Sequence, residues 1–280
     1  MSAANQEPNP EAEYWNNEGG QRWVTYIDRL ELLAGAFTEA LLAKANPQPQ
    51  ERVLDIGCGG GPTSAALADA VGEDGYVLGA DISEVILRVA RSRYGAKENL
   101  EFLTADAGVH AFDPQSFDIV TSRFGVMFFP NPESAFKNIL KALKPGGRLH
   151  MMCWRGIEEN PWLGTPASAA FEILPRPERA EPGAPGPFSL SDPKRAEDIL
   201  VAAGFTDVEF EKIDCELNMG SIDDALETLC NLGPAAAALK EASERDSALA
   251  IEALRKVLSE YETAEGVTMS GAAWLVSAKA

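Results

Sequence analysis

An apolar stretch that runs straight into four glycines constrains the fold of this chain more than any other feature. Residues 53–61 read Val-Leu-Asp-Ile-Gly-Cys-Gly-Gly-Gly, and Pro62 then opens a helical pattern. Glycine lets the backbone turn tightly and approach a ligand, while a helix N-terminus offers free N–H groups. The segment therefore predicts a buried strand, a ligand-binding turn and a helix, in that order.

The same alternation of apolar runs and helical patterns continues along the chain. The strands predicted from it are Arg52–Ile56, Gly75–Ala80, Leu100–Thr104, Phe117–Ser122 and Arg148–Trp154. The helices predicted between them are Pro62–Val71, Ser83–Tyr94 and Pro132–Leu143. Such a βαβ series indicates an α/β protein whose mainly parallel sheet is covered by helices on both faces.

The C-terminal third predicts two more strands around a helical insert. The strands are Asp207–Leu217 and Ala272–Ala278, and we expect them to pair as an antiparallel edge. The predicted helices are Asp192–Ala203, Ile222–Cys230 and Pro234–Glu262. Four regions follow: an N-terminal helical cap (1–46), a ligand-binding core (47–155), a proline-rich lid or insert (156–195) and a C-terminal completion of the sheet (196–280). The aromatic N-terminal region is interpreted either as a helix packed on the sheet or as a cap over a ligand.

The net charge restricts which partners we expect, and the cysteine pattern restricts which metal sites and disulfides we expect. The formal net charge is -19, which disfavours nucleic acid and anionic membrane surfaces as partners. The four cysteines form no CxxC pair and the chain has two histidines, so we expect neither a metal site nor a disulfide framework. No signal peptide or membrane-spanning segment is predicted, which favours a cytoplasmic protein.

The details of the glycine turn separate two classes of nucleotide cofactor. A dinucleotide fingerprint requires GxGxxG, but Pro62 or Ser64 stands at the third glycine position. Asp55, just ahead of the glycines, would also oppose the charge of a pyrophosphate and would favour a cationic ligand. A nicotinamide-dependent oxidoreductase is therefore the less favoured alternative.

Asp55-Ile-Gly57-Cys-Gly59-Gly-Gly61 resembles the first motif of the class I S-adenosylmethionine-dependent methyltransferases, whose usual form is acid-x-Gly-x-Gly-x-Gly. The stretch Leu143-Lys-Pro-Gly-Gly-Arg-Leu is similar to the family's turn into its fifth strand. The likeness covers roughly residues 50–155 and is greatest to the ubiquinone-biosynthesis type. It implies a Rossmann-like, seven-stranded, mainly parallel sheet with one antiparallel edge strand, and S-adenosylmethionine as cofactor, converted to S-adenosylhomocysteine.

The resemblance also assigns cofactor roles at the strand ends. The glycine turn would lie under the methionine part, with Asp55 ordering the loop and meeting the amino end directly or through water. Asp81 would bind the ribose and Ile82 would cover the adenine, while Asp106 would accept from the adenine amino group beside Ala107. Ser122 and Arg123 would lie near the methionine end. An N-cap role remains the alternative for Asp106.

An aromatic set predicts where the methyl acceptor binds. Its members are apolar and lie in the predicted cap, in the lid, in the loop after the fourth predicted strand or at the end of the fifth: Trp15, Phe124, Met127, Trp154, Trp162 and Phe188. They would suit a small hydrophobic or aromatic molecule, although each could equally be a core residue. The Asn-Pro-Pro-aromatic signature of methyltransferases that act on nucleobase or glutamine amide nitrogens is missing from the segment that corresponds to the family's fourth strand.

The expected reaction is in-line methyl transfer, which needs alignment and exclusion of water more than a dedicated acid or base. No catalytic residue is assigned. His110 is a candidate general base, but a solvent-exposed or packed side chain without a catalytic role is the favoured interpretation. His150 is expected to have a structural role. A catalytically silent cofactor-binding module is the alternative from a different class.

Overall fold

In the computed structural model, which describes residues 9–178, 181 and 183–280, five strands form the parallel core of the sheet. They are β1 (Arg52–Ile56), β2 (Tyr76–Asp81), β3 (Leu100–Thr104), β4 (Phe117–Arg123) and β5 (Leu143–Trp154). All four neighbouring pairs are parallel and their order is β3-β2-β1-β4-β5. Each predicted strand of this core is therefore present, within a few residues at its ends.

The sheet ends in an antiparallel edge built by two long strands, β6 (Thr206–Asn218) and β8 (Gly266–Lys279). The strand β8 runs antiparallel to both β5 and β6, so the edge predicted from the late strands is confirmed. The two-residue strand β7 (Glu262–Thr263) pairs with β8 in a short hairpin. Both β6 and β8 are longer than predicted, because their pairing continues from Thr206 beside Lys279 to Asn218 beside Thr268.

Helices cover both faces of this sheet. The alternating residues of β1 enter two different hydrophobic clusters: Val53 packs with Leu67 and Val71, and Leu54 with Phe37 and Leu41. The helices before β6 are α1 (Pro10–Asn16), α2 (Glu18–Thr25), α3 (Ile27–Leu33), α4 (Gly35–Ala45), α5 (Pro62–Val71), α6 (Glu84–Tyr94), α7 (Pro132–Ala142), α8 (Pro161–Ala170) and α9 (Pro193–Ala203). Those after β6 are α10 (Ile222–Leu232), α11 (Ala236–Glu241) and α12 (Glu244–Ser259).

The helix predicted over Pro234–Glu262 is wrong as a single element. It breaks at Ala242 and Ser243, both of which have extended backbone. The Ser243 hydroxyl accepts a hydrogen bond from the Asp246 amide (3.1 Å), so it caps the start of α12. A side-chain cap in the middle of the helical pattern therefore ends one helix and begins the next.

The N-terminal region divides into two parts with different roles. Helix α4 packs on the sheet through the buried Phe37 and Leu41 and ends at Asn46, whose φ of 41° is left-handed. Helices α1–α3 lie beside the carboxyl ends of the strands instead. The α1 side chain of Asn16 donates to the Ile82 carbonyl (2.9 Å), and the Trp15 carbonyl accepts from the Ser83 hydroxyl (2.6 Å). Successive helices of one segment thus pack on the sheet and lie along its carboxyl edge.

In the region predicted as a lid (156–195), helix α8 packs against α12 and β8, and α9 begins at Pro193. Residues 179, 180 and 182 of that region, and residues 1–8 of the predicted cap, lie outside the described part of the chain. No helix within the described ranges is long and apolar enough to span a bilayer.

Candidate functional site

A cavity of about 290 Å³ opens at the carboxyl ends of the parallel strands. It lies where the strand order reverses between β1 and β4, the place where doubly wound α/β sheets bind ligands. Its wall has two parts. The polar half comprises the glycine turn, Asp55, Asp81, Ile82, Asp106, Ala107, Glu31 and Arg123; the apolar half comprises Phe124, Met127, Phe128, Trp154, Trp162, Leu163, Thr228, Leu229 and Leu232.

The glycine turn lines the polar half through Gly57, Gly59 and Gly60. Gly57, Gly59 and Gly61 all have a positive φ (65°, 56° and 85°), which is the conformation that favours glycine. A Cβ on Gly57 would lie 2.6 Å from the Gly125 Cα, so the turn after β1 and the loop after β4 touch through their backbones. Gly61, which the resemblance also assigns to the cofactor, does not line the cavity; it faces Phe102 and the helix α6.

Asp55 is fully buried beneath the turn and ties two elements together. One carboxylate oxygen accepts from the Ser64 hydroxyl (2.6 Å) and the other from the Thr121 hydroxyl (2.9 Å). Burial raises the pKa of Asp55 to about 6, although both hydroxyls favour the charged form. Asp55 thus connects the start of α5, through Ser64, to β4, through Thr121.

Asp81 closes β2 and lies in the polar half beside Ile82. Its carboxylate accepts hydrogen bonds from the amides of Gly59 and Ser83, both at 2.9 Å. Burial raises the pKa of Asp81, while these backbone bonds oppose that shift. The glycine turn and the end of β2 are thus held in one fixed arrangement around a carboxylate.

Asp106, after β3, faces the same half of the cavity as Ala107. One of its oxygens accepts from the Gly108 amide (2.8 Å) and the other from the side-chain amide of Asn9 (2.7 Å). Asn9 immediately precedes α1 and also lines the cavity. The start of α1 is therefore hydrogen-bonded to Asp106, the residue that the resemblance assigns to the adenine amino group.

Ser122 and Arg123, both predicted to lie near the methionine end, are the last two residues of β4 and have different surroundings. The Ser122 hydroxyl donates to the Ile56 carbonyl (2.8 Å) and accepts from the Gly125 amide (3.2 Å), so it holds the loop and does not reach the cavity wall. Arg123 lines the cavity and donates to the Thr38 hydroxyl (2.6 Å). Burial lowers the pKa of Arg123, and the charges of Asp55 and Glu31 oppose that shift. Only Arg123 of the two is positioned to meet a ligand.

Stacked aromatic rings build the apolar half. Phe124 and Trp154 lie parallel, with ring centroids 4.0 Å apart and an interplanar angle of 6°. The Trp162 ring packs at a tilt against Trp154, with ring centroids 5.4 Å apart. Trp15 from α1 meets Phe128 edge-on at 5.5 Å. Rings held in this way offer flat, rigid surfaces to a ligand.

Of the six residues predicted to contact the acceptor, five line this cavity: Trp15, Phe124, Met127, Trp154 and Trp162. Phe188 is the exception, because it packs against the hydrophobic core. The Ser189 hydroxyl donates to the Met127 carbonyl (2.5 Å), and this anchor brings Pro187 to the wall in place of Phe188.

Two stretches of the wall were missed by reasoning from the sequence. Helix α10 contributes Thr228, Leu229 and Leu232, and helix α3 contributes Leu30, Glu31 and Leu33. The available signal for α10 was its capping box, in which Ser221 and Asp224 bond each other's backbone amides. That signal predicts where a helix starts, but it does not tell which partner its apolar face meets.

The histidines lie outside the cavity. His110 lines a separate groove beside Phe112 and Tyr76. His150 is buried in β5, where its Nδ1 lies 3.0 Å from the Ser277 hydroxyl, and burial lowers its pKa to about 4. Within the described ranges, no three His, Cys, Asp or Glu side chains are grouped so as to hold a metal ion.

Comparison with known sequences places the chain among methyltransferases. A family model described as a methyltransferase domain matches residues 53–147. A demethylmenaquinone methyltransferase from Lactococcus lactis is 30% identical over 176 residues, which are 57% of this chain and 68% of the relative. One from Clavibacter sepedonicus is 42% identical over 103 residues, 37% of this chain and 41% of that protein. The chain thus spans only about two fifths of the length of several curated relatives that it matches.

Comparison with solved structures confirms the fold. Phosphoethanolamine N-methyltransferase 2 of Haemonchus contortus, crystallised with S-adenosyl-L-methionine, superposes with a TM-score of 0.59 at 20% identity. The match covers 96% of this chain and 59% of the nematode protein. The predicted α/β class, with a mainly parallel sheet and an antiparallel edge, is therefore correct.

Proposed function

The chain belongs to the class I S-adenosylmethionine-dependent methyltransferases, and from this premise we propose that it transfers a methyl group to a small, flat, apolar acceptor. The observation that carries the proposal is the continuity of the cavity. One wall runs from the glycine turn and Asp81 to the stacked rings of Phe124 and Trp154. A nucleoside cofactor and a ring-shaped acceptor would then lie side by side.

The polar half has the groups that S-adenosylmethionine needs. We assign the two ribose hydroxyls to Asp81, the adenine face to Ile82 and the adenine amino group to Asp106, with Ala107 alongside. Gly57 and Gly59 leave room for the methionine chain, since any side chain on Gly57 would collide with Gly125. The free N–H groups at the start of α5 add positive potential beside a ligand carboxylate.

The apolar half suits an acceptor with a flat ring. Its wall is made of aromatic and aliphatic side chains, and two of its polar atoms already have partners: the Trp162 Nε1 donates to the Asn160 side chain (3.2 Å) and the Thr228 hydroxyl to the Asp224 carbonyl (2.9 Å). A strongly polar acceptor would lose hydration there without gaining hydrogen bonds. A hydrophobic ring would gain burial.

The chemistry requires positioning above all. When bound, S-adenosylmethionine would supply a methyl group on a sulfonium: the acceptor–carbon bond would form as the sulfur–carbon bond breaks, the electron pair of that bond would return to sulfur, and the proton displaced from the acceptor would pass to bulk water. The Phe124–Trp154 stack fixes the plane of the acceptor, and Trp15 and Trp162 exclude water from the cavity. Such alignment can contribute roughly 7–11 kcal/mol to the barrier reduction.

The relatives suggest which acceptor to test first. Two of them are named demethylmenaquinone methyltransferases, and other relatives from Pseudomonas are named for ubiquinone and menaquinone biosynthesis. Demethylmenaquinone is flat and apolar, as the rings of the apolar half require. We propose a quinone-like ring as the acceptor class.

A methyl-transfer assay tests the proposal. The purified protein is incubated with S-adenosylmethionine labelled in the methyl group and with reduced demethylmenaquinone, simple phenols or phosphoethanolamine. We expect labelled product from an aromatic acceptor and none from phosphoethanolamine, with Asp81→Ala as the cofactor-deficient control. Tight S-adenosylhomocysteine binding without transfer to any aromatic acceptor would favour the catalytically silent module.

We also propose that the protein acts in the cytoplasm. All four cysteines, Cys58, Cys153, Cys215 and Cys230, carry free thiols, which persist in reducing compartments. Fractionation of the source cells, followed by detection with an antibody, tests this location.

A further inference from the structure

We propose that Glu31, on helix α3, binds the α-ammonium group of the cofactor's methionine moiety and that Arg123 binds its carboxylate. The inference rests on the proposed function, because it takes the cofactor to be an S-adenosyl amino acid. That moiety is a zwitterion, so it needs an acceptor and a donor of opposite charge a few ångströms apart. Neither residue belongs to the acid-and-glycine motif.

Glu31 has a free acceptor atom at the glycine turn. Its Oε2 accepts from the Arg93 guanidinium (2.8 Å), which fixes the side chain. Its Oε1 is buried, accepts no hydrogen bond from any residue in the described ranges, and abuts Gly60 so closely that a Cβ there would collide with it. A buried carboxylate oxygen without a partner is costly, so this atom is ready for a cationic donor.

Asp55, the acid of the glycine motif, is less suited to the same role. Each of its oxygens already accepts a hydrogen bond from a hydroxyl, Ser64 on one side and Thr121 on the other. Direct binding of an ammonium would add a third donor to a carboxylate that lies beneath the turn. Glu31 needs no such rearrangement of its partners.

Arg123 supplies the complementary charge. Among the described residues of the cavity wall it is the single cation, and its hydrogen bond goes to the neutral hydroxyl of Thr38. Arg123 and Glu31 line the same cavity wall and form no ion pair within 4 Å, and the charge of each favours the charged form of the other. An amino acid zwitterion placed between them would satisfy both side chains without adding net charge.

Three ligands separate the contributions. S-adenosylhomocysteine carries the ammonium and the carboxylate, its decarboxylated analogue 5′-deoxy-5′-(3-aminopropylthio)adenosine keeps the ammonium alone, and 5′-methylthioadenosine has neither. Calorimetry with wild type, Glu31→Gln and Arg123→Gln gives nine affinities. Asp28→Asn is the matched control, because Asp28 lies on the same helix and also pairs with Arg93 (2.6 Å) but is outside the cavity wall.

We expect Glu31→Gln to weaken S-adenosylhomocysteine and the decarboxylated analogue by ten- to hundredfold and to leave 5′-methylthioadenosine within twofold. Arg123→Gln should weaken S-adenosylhomocysteine alone, and Arg123→Lys should restore part of the loss. Asp28→Asn should leave all three affinities within twofold. The unchanged affinity for 5′-methylthioadenosine shows at the same time that each variant is folded.

Two outcomes overturn the assignment. If Glu31→Gln weakens all three ligands equally, Glu31 merely supports the glycine turn; if it changes none, another group binds the ammonium. In both cases the wild type still binds S-adenosylhomocysteine and the proposed function stands. If the wild type binds none of the three, the proposed function fails together with this assignment.

Discussion

The two halves of the cavity are built in different ways. The polar half takes most of its groups from strand ends that follow one another between residues 55 and 107, and it uses backbone turns and buried carboxylates. The apolar half gathers side chains from α1, α8 and α10, from the end of β5 and from the loop after β4, which are far apart in the sequence. One half is made by local geometry and charge, and the other by long-range packing.

This contrast separates cofactor binding from acceptor choice. A parallel sheet brings its strand ends to one edge whatever the rest of the chain does, so the polar half tolerates change elsewhere. The apolar half depends on how distant helices pack, and small changes of side-chain volume there alter its shape. Substitutions in the two halves should therefore have separable effects.

The largest expected effect concerns the buried charge of the polar half. The folded-state pKa of Asp55 is about 6, above its ordinary 3.8, so its favourable contribution to stability is complete below pH 3.8 and is lost as the pH rises through 6. Above pH 6 the ionised group costs about 3 kcal/mol. Relative to wild type, Asp55→Asn should thus gain roughly 2.5 kcal/mol in unfolding free energy between pH 4 and pH 7, measured with urea.

The apolar half provides the control for this experiment. Leu229→Met, which places no charge in the cavity, should shift the unfolding free energy by the same amount at both pH values. An Asp55→Asn difference that is constant with pH would mean that the buried carboxylate is not the origin of the pH dependence.

The second-largest expected effect is a loss of affinity for the cofactor when the polar half is changed. Asp81→Ala removes charge-assisted hydrogen bonds worth about 1.5–3 kcal/mol each, so S-adenosylhomocysteine should bind roughly ten- to a hundredfold more weakly. Asp81→Asn should lose less, and Asp69→Ala, on the exposed side of α5, should lose nothing. Calorimetry gives the affinities and thermal unfolding checks the fold. Unchanged binding in both Asp81 variants would show that Asp81 does not hold the ribose.

The apolar half is tested by filling it. Leu229→Trp adds volume to a well-packed wall, at a cost of about 1–3 kcal/mol for the bound acceptor, so methyl transfer should fall roughly tenfold or more. The affinity for S-adenosylhomocysteine should stay within twofold. Leu229→Met conserves volume and should keep most of the activity. An equal loss of cofactor affinity and activity would show that the two halves are not independent.

The smallest effect concerns the elements that join the halves. Closure over the ligand should slow amide exchange a fewfold in Tyr14–Tyr26 and in α8 when S-adenosylhomocysteine is added. Helix α12 lies outside the cavity wall and should exchange at an unchanged rate. If protection rises only at the glycine turn and Asp81, then α1–α3 and α8 are packing elements and do not close over the site.

The sequence predicted the strands of the parallel core and the residues at their ends because both depend on local patterns. Asp81 ends β2 and Asp106 follows β3, and the parallel topology brings both strand ends to the same edge of the sheet. Gly61 and Ser122 lie outside the cavity wall, because a motif does not tell which of its members line a cavity and which hold the turn. Glu31 and Leu229 were missed, since their positions depend on how α3 and α10 pack against distant strands.

One titration tests the central claim, that the cavity is a binding site for an S-adenosyl cofactor. S-adenosylhomocysteine and NADH are titrated separately into the wild-type protein in a calorimeter. The account predicts saturable one-to-one binding of S-adenosylhomocysteine and no binding of NADH, because Asp55 and Pro62 exclude a pyrophosphate from the glycine turn. Tight binding of NADH with none of S-adenosylhomocysteine would contradict it.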